Sequence, residues 1–228
     1  MDSLEAVTAE VIKCRRCPRL VGWREEVARE KRAAYRDWDY WGRPVPGFGD
    51  PKARLLVAGL APAAHGGNRT GRIFTGDRSG DWLFGALHRA GFANQPTSER
   101  RGDGLRLDGA YVAAAVRCAP PGNKPAPAER DNCLPYLARE IALLTDLRTI
   151  VCLGSFAYDA IARLVNLSRR PRFGHGVEAV DTAGRVIICS YHPSQQNTFT
   201  GKLTRPMFDA VFSRARATVD ADPTVRPR

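Results

Sequence analysis

The sequence lacks any apolar run that approaches the roughly 20 residues needed to cross a membrane, and its first residues lack the basic-then-apolar layout of a secretory signal. These absences predict a cytoplasmic protein without a membrane partner. Lysine is scarce: only five of the 35 basic Lys and Arg residues are lysine, so arginine supplies most of the net charge of +11. A basic protein of this size often binds nucleic acid, although an arginine-rich composition also arises in GC-rich genomes.

Two nucleotide-enzyme signatures are also missing. The glycine-rich stretch Gly59–Arg72, GLAPAAHGGNRTGR, does not have the G-x4-G-K-[ST] spacing of a P-loop. No paired carboxylates follow the predicted strands, which argues against Mg²⁺-dependent phosphate chemistry. The stretch can still bind phosphate through backbone N–H groups, or it can be an ordinary surface loop.

The pattern along the 228 residues predicts an α/β fold. Short, nearly continuous apolar runs predict four buried strands, at 54–60, 110–116, 149–154 and 186–190. Helical patterns separate and follow them, at 79–90, 127–144, 155–165 and 205–217, and Pro135 can kink or split the second of these. The order predicts a three-layer α/β/α sandwich with a central, mainly parallel four-stranded sheet. We expect one domain over residues 1–218 and a disordered tail over 219–228.

The unusual polar segments all follow predicted strands. Ligands of open parallel sheets bind beyond the carboxyl ends of the strands, so these segments are expected to form one site. Asp77 is either a helix cap or a carboxylate that orients water. Phe74 is either core or a stacking platform, and Asn123 either shapes a turn or reads a base edge. His192, just past the last strand, is expected to be functional.

Six cysteines are present, and four of them are candidate metal ligands. Cys14 and Cys17 form a C-x2-C pair, and Cys118 and Cys133 follow at wider spacing. Their donor set suits a 4Fe–4S cluster, because proline is common beside cluster cysteines; a zinc site and unligated thiols remain alternatives. Cys152 and Cys189 fall within predicted strands and are expected to be buried and inert.

Taken together, these motifs resemble the uracil-DNA glycosylase superfamily, and most closely its type-5 group. The resemblance covers Cys14 to Thr204 and rests on GLAPAAHGGNRTGR, IFTGD, RCAPPGNKP, HPSQQNTFTGKLT and the four cysteines. Ala61 stands where many members of the superfamily carry a polar residue, an absence that the type-5 group shares. Water must then be oriented elsewhere, and Asp77 is the candidate.

The resemblance implies that the protein is a monomeric, monofunctional DNA glycosylase. It would hydrolyse the N-glycosidic bond of uracil and other deaminated bases, such as hypoxanthine, in double-stranded DNA and so begin base-excision repair. It implies a 4Fe–4S cluster on the four candidate cysteines and catalysis by Asp77 and His192. The implied substrate-binding residues are Gly59, Ala61, Ala63, Phe74 and Asn123, and the implied DNA-binding residues are Arg69, Arg72, Lys124, Gln195, Gln196, Asn197 and Lys202.

The segment from Gln195 to Thr200 is expected to wedge into the space that the flipped base leaves. An alternative is a non-catalytic nucleic-acid-binding module with a structural metal, which shares the charge and the cysteines. It does not explain why Asp77, Asn123 and His192 concentrate at strand ends.

Overall fold

Six strands form one sheet in the computed structural model, which describes residues 2–221. The strands are β1 (Phe48–Gly49), β2 (Leu55–Gly59), β3 (Ala110–Ala114), β4 (Thr149–Leu153), β5 (Glu178–Val180) and β6 (Val186–Ser190). Their order across the sheet is β1-β3-β2-β4-β6-β5. The four predicted strands are its parallel centre, which confirms the predicted fold class, and two short antiparallel strands extend the edges.

Eight α-helices occur within the described residues: α1 (Leu4–Lys13), α2 (Pro18–Glu30), α3 (Gly67–Thr70), α4 (Arg78–Arg89), α5 (Pro127–Leu143), α6 (Ser155–Leu164), α7 (Gln195–Phe199) and α8 (Arg205–Asp220). Local sequence explains their starts: Thr204 accepts a hydrogen bond at the N-terminus of α8, and α5 begins with a proline at its first position. Pro135 lies inside α5 without splitting it.

The C-terminal boundary differs from the prediction. Helix α8 continues to Asp220, so residues 219 and 220 belong to it rather than to a disordered tail. The remainder of the predicted tail, from residue 222, lies outside the described residues. No described helix is both long and apolar enough to cross a membrane.

The alternation of side chains along the strands builds two cores. Leu55 and Val57 of β2 face one core, which helices α4 and α8 cover. Leu56 and Ala58 face the opposite core, which α5 and α6 cover. Every residue of the four central strands except Val186 is buried, because helices cover both faces.

The parallel arrangement brings the polar segments to one edge of the sheet. Gly59 pairs in register with Ala114, and Leu153 pairs with Ser190, so the last residues of β2, β3, β4 and β6 lie side by side. The segments that follow them therefore emerge at a common edge, as the sequence predicts.

Candidate active site

The rings of Phe74 and His192 meet beyond the ends of three neighbouring strands. Their centroids are 5.9 Å apart and their planes are tilted by 31°. Gly59 lies against Phe74, since a Cβ built on the glycine would be 2.6 Å from two ring carbons. Gly154 lies beside His192 but less tightly, since a Cβ built on Gly154 would be 3.5 Å from the Cβ of the histidine, an ordinary contact distance. Phe74 has a φ of 52°, which is uncommon for a bulky residue and typical of functional sites.

His192 is held from its backbone side. The side-chain Nδ2 of Asn197 donates a hydrogen bond to the His192 carbonyl oxygen at 2.9 Å. Burial lowers the pKa of His192 to about 4. The imidazole is therefore neutral at neutral pH, and it offers a neutral N–H donor rather than a cation.

Asp77 is both the N-cap of α4 and a neighbour of the glycine-rich loop. Its Oδ1 accepts a hydrogen bond from Gly80 N at 3.0 Å. Its carboxylate lies against Gly66, where a built Cβ would overlap Oδ2 and be 2.9 Å from Cγ. Burial raises the pKa of Asp77, although the amides of Gly80 and Ser79 and the charge of Arg69 oppose that shift. One oxygen thus caps the helix, and the other faces the loop.

The loop after β2 presents free backbone donors. The N–H groups of Ala61, Ala63 and Ala64 donate to no backbone acceptor among the described residues, whereas Gly66 N and Asn68 N both bond to Ala63 O. The side chain of Ala61 is partly buried and packs against the cluster that contains Leu20 and Cys118. Ala61 and Ala63 can therefore bind an anion through their main chain.

A cavity of about 420 Å³ opens beside His192. Six of its lining residues are Leu60, Phe156, Phe173, Tyr191, His192 and Lys202. Aromatic side chains with a few polar groups are typical of ligand sites. Phe74 is only 5% exposed, so its ring is a wall behind His192 and does not line this cavity.

The structure contradicts the prediction that Arg69 and Arg72 bind phosphate. Both are buried, with 3% and 6% of their surface exposed. Arg72 donates to Thr75, to Ser98 at 2.8 Å and to Asp103 at 2.6 Å, which leaves its guanidinium engaged inside the protein. Arg69 is enclosed by two aromatic rings and donates to two backbone carbonyl oxygens. A phosphate on the surface cannot reach either group.

The other predicted DNA-binding residues are accessible. Asn123 has a φ of 56° at the tip of the turn after β3, and it is exposed together with Lys124. Lys202 is exposed and stacks on Tyr191 at 4.9 Å. Gln195 and Gln196 are exposed on α7, whereas Asn197 is partly buried because its amide holds His192. The predicted wedge segment is thus a short helix rather than a loop.

Three residues near the site were not singled out from the sequence, although one of them, Phe199, falls within the predicted wedge segment. Phe199 is 63% exposed at the end of α7, and the guanidinium of Arg78 lies 4.5 Å from its ring centre. Arg205 stacks on Trp82 at 5.1 Å. The sequence carried a signal for Phe199, an aromatic residue inside a polar segment after a predicted strand. Nothing local distinguished Arg78 and Arg205 from other arginines.

The four candidate ligand cysteines line one small cavity between α2, α5 and the segment after β3. Arg24 Nη1 donates to Cys118 Sγ at 2.9 Å, and Asn132 Nδ2 donates to Cys17 Sγ at 3.3 Å. Within residues 2–221, no three Cys, His, Asp or Glu side chains are grouped closely enough to hold one metal ion. Cys152 and Cys189 are buried neighbours in β4 and β6, and burial raises the pKa of both thiols.

Comparison with known proteins defines the class. The uracil DNA glycosylase superfamily matches residues 46–216, which include the sheet and every residue around His192 described above. The chain belongs to this superfamily. It is an enzyme, a hydrolase that acts on N-glycosidic bonds.

The relatives narrow the class to its type-5 group, as the motifs predict. The chain is 56% identical to the type-5 uracil-DNA glycosylase of Mycobacterium tuberculosis over 217 residues, 94% of this chain and 81% of the relative. It is 51% identical to the type-5 uracil-DNA glycosylase of Thermus thermophilus over 213 residues, 93% of this chain and 96% of the relative. A type-4 uracil-DNA glycosylase of Archaeoglobus fulgidus is 29% identical over 199 residues, 85% of this chain and 83% of the relative.

Proposed function

We propose that this protein removes uracil and other deaminated bases, including hypoxanthine, from double-stranded DNA and leaves an abasic site. The observation that supports the proposal is the position of His192 against Phe74 beyond the strand ends, on the side of the sheet where the loop after β2 offers the free amides of Ala61 and Ala63. Asp77 lies against Gly66 of the same loop. A base inside a duplex is inaccessible, so the target nucleotide must first leave the stack.

The bond between the sugar carbon and the base nitrogen breaks with its electron pair moving to the base. His192, as a neutral donor, and the amides of Ala61 and Ala63 stabilise the base anion that forms. The low pKa of His192 fits this role, because a neutral donor does not need to lose a proton before it can act again. Gly59 allows Phe74 to lie close behind the histidine and fixes the floor of the site.

Asp77 acts on the sugar side of the same bond. Its carboxylate orients a water molecule and accepts a proton from it as the water oxygen bonds to the sugar carbon. Asp77 then returns that proton to solvent, and the released base anion takes a proton from solvent. The carboxylate is partly buried, so it is less well solvated than on the surface and interacts more strongly with the positive charge that develops on the sugar. The resulting hydrolysis needs no covalent enzyme intermediate.

The exposed cations and aromatics around α7 form the DNA-binding surface. Lys202, Arg78 and Arg205 each stack on an aromatic ring, which holds the cation in place while its N–H groups remain available for phosphate. We assign to them the phosphate contacts that Arg69 and Arg72 cannot make, together with Lys124. Phe199 is the apolar wedge that fills the space left by the flipped base.

Asn123 reads an edge of the flipped base. An amide offers both a donor and an acceptor, so one side chain can bind uracil and hypoxanthine in different orientations. The protein acts on DNA as a monomer, since Val180 and Phe199 are the large apolar side chains that stand exposed in the described part of the chain.

We propose further that Cys14, Cys17, Cys118 and Cys133 hold a 4Fe–4S cluster with a structural role. A cluster bonds each cysteine to a different iron, so its sulfurs need not converge on one point as the ligands of a single ion do. All four donors are sulfur, and N–H groups already point at two of them, as is common around such clusters. The cysteines join α1, α2 and α5 behind the loop that carries Ala61.

Cleavage of end-labelled duplexes tests the enzymatic proposal. One strand would carry a single uracil opposite guanine, or hypoxanthine opposite thymine, and the reaction would be followed by alkali. We expect breaks at both lesions only after alkali, faster in duplex than in single strands, and at least about 100-fold slower with Asp77→Asn or His192→Gln at unchanged DNA affinity. DNA binding without cleavage at either base would instead indicate a non-catalytic binding module.

Iron and sulfide analysis with visible absorbance tests the cluster. We expect about four irons per chain and a broad visible band, both lost in Cys17→Ser but kept in Cys152→Ser, whose thiol is buried in the sheet. A colourless protein that contains one zinc ion would refute the cluster and leave the glycosylase assignment intact.

A further inference from the structure

Arg69 is enclosed by aromatic rings and backbone carbonyls. Its guanidinium lies 3.9 Å from the ring centre of Tyr35 and 4.0 Å from that of Trp38. Its Nε donates to the carbonyl oxygen of His65 at 2.7 Å, and its Nη2 donates to that of Gly76 at 2.9 Å. Both rings and both hydrogen bonds fix the guanidinium plane, which is the arrangement that suits arginine rather than lysine.

The two carbonyls belong to the two segments that enclose the Asp77 carboxylate. His65 precedes Gly66, whose Cα lies against the carboxylate, and Gly76 precedes Asp77 itself. Arg69 therefore connects, through its two hydrogen bonds, the two chain segments that lie on either side of the Asp77 carboxylate. A shift of either segment would move Asp77 relative to the sugar carbon that it must face.

Arg69 also affects Asp77 electrostatically. Burial raises the pKa of Asp77 and the nearby carboxylate of Asp81 raises it further, whereas the charge of Arg69 lowers it. The amides of Ser79 and Gly80 act in the same direction as Arg69. Arg69 is thus a cation whose charge opposes the effect of burial on the pKa of Asp77.

One nitrogen of Arg69 is left unused. Nη1 is buried and has no hydrogen-bond partner within the described residues. A buried unpaired donor costs free energy, and a neutral side chain would avoid that cost. The charge at this position is therefore expected to serve the site rather than the fold.

We propose that Arg69 is a positioning residue for hydrolysis, which places the Asp77 carboxylate through the carbonyls of His65 and Gly76 and supplies the positive charge beside it. This inference rests on the function proposed for Asp77. It gives a role to an arginine whose burial excludes it from the DNA surface.

Single-turnover cleavage of a uracil-containing duplex between pH 5 and pH 9 tests the inference, with Arg69→Met, Arg69→Lys and Asp77→Asn compared with wild type. For Arg69→Met we expect a rate about 100-fold lower and DNA affinity within about twofold of wild type. We also expect the acid limb of the pH–rate profile to move to higher pH. For Arg69→Lys we expect the acid limb of the pH–rate profile to lie where it does in wild type, because lysine keeps the positive charge. The cleavage rate should recover only in part, because lysine lacks the planar guanidinium.

Two results would overturn the inference: a wild-type rate and pH profile in folded Arg69→Met, or a loss of DNA affinity without a loss of chemistry. If Asp77→Asn itself cleaves normally, the role proposed for Asp77 fails first, so the two failures are distinguishable. Should Arg69→Met not fold, Trp38→Leu replaces it. That variant keeps the charge but loosens the guanidinium, so a slower rate with an unshifted acid limb supports the inference and an unchanged rate overturns it.

Discussion

Replacing Gly66 with alanine would place a methyl group where the carboxylate of Asp77 lies. A Cβ at this position would overlap Oδ2 and stand 2.9 Å from Cγ and 3.0 Å from Cβ of Asp77. Carbon atoms in contact are about 3.5–4.0 Å apart, so the carboxylate must move by roughly 1 Å. The change alters no charge and removes no polar group.

The displacement should affect activity far more than stability. Asp77 is a side chain that can rotate, and the most that the fold loses is its N-cap bond to Gly80, which is worth about 1 kcal/mol. A misplacement of about 1 Å at a catalytic group costs roughly 100-fold in rate. We therefore expect Gly66→Ala to melt close to wild type and to cleave about 100-fold more slowly.

The assay is single-turnover cleavage of a duplex with uracil opposite guanine, with DNA affinity measured separately. Gly22→Ala is the matched control, since a Cβ on Gly22 meets no atom within 4 Å and alanine suits the helix α2. A folded Gly66→Ala enzyme with a rate within threefold of wild type would refute the placement of Asp77 in the reaction.

Three further predictions concern the wedge, the histidine and the cysteines. Phe199→Ala should cleave uracil about 10-fold more slowly in duplex but normally in single strands, measured by single-turnover rates, because only a duplex leaves a gap to fill. Urea titrations should show that His192→Gln lowers the free energy of unfolding, relative to wild type, by less at acid pH than at neutral pH. The lowered pKa of His192 means that the unfolded chain binds more protons, so wild type loses stability as pH falls from 6.5 through about 4. Arg24→Met should lose visible absorbance to a chelator about 10-fold faster than wild type, since it removes the hydrogen bond to Cys118.

Each of these has a specific contrary result. Equal loss on duplex and single strands would mean that Phe199 supports the site rather than the DNA gap. A His192→Gln protein whose stability falls with acid in parallel with wild type would show that the histidine is not desolvated. Unchanged chelator kinetics in Arg24→Met would show that the Cys118 bond does not protect the metal site.

The centre of the sheet was readable from the sequence because fully buried strands are nearly continuous apolar runs. The edge strands β1 and β5 have two and three residues, too few to show any periodicity. The convergence of Gly59, Phe74 and His192 followed from a topological rule about strand ends. Their separation and tilt depend on packing between distant segments and have no signature in the local sequence.

The arginines show where sequence reasoning fails. Arg69 and Arg72 stand in a glycine-rich loop, the usual setting for phosphate binding. Their burial depends on Tyr35 and Trp38 in one case and on Asp103 in the other, residues about 30 positions away along the chain. Such contacts can be found only in three dimensions, and they turn two predicted surface cations into interior ones.

The order of the sheet also sets when the enzyme becomes complete during synthesis. The four cysteines and Asp77 all precede β4, whereas His192 follows β6, the last strand, which pairs with β4 and β5. A chain released before β6 thus holds the four candidate ligand cysteines and Asp77 but not His192. On the role proposed for His192, we expect an unfinished chain to be inactive on damaged bases, whatever metal it has bound.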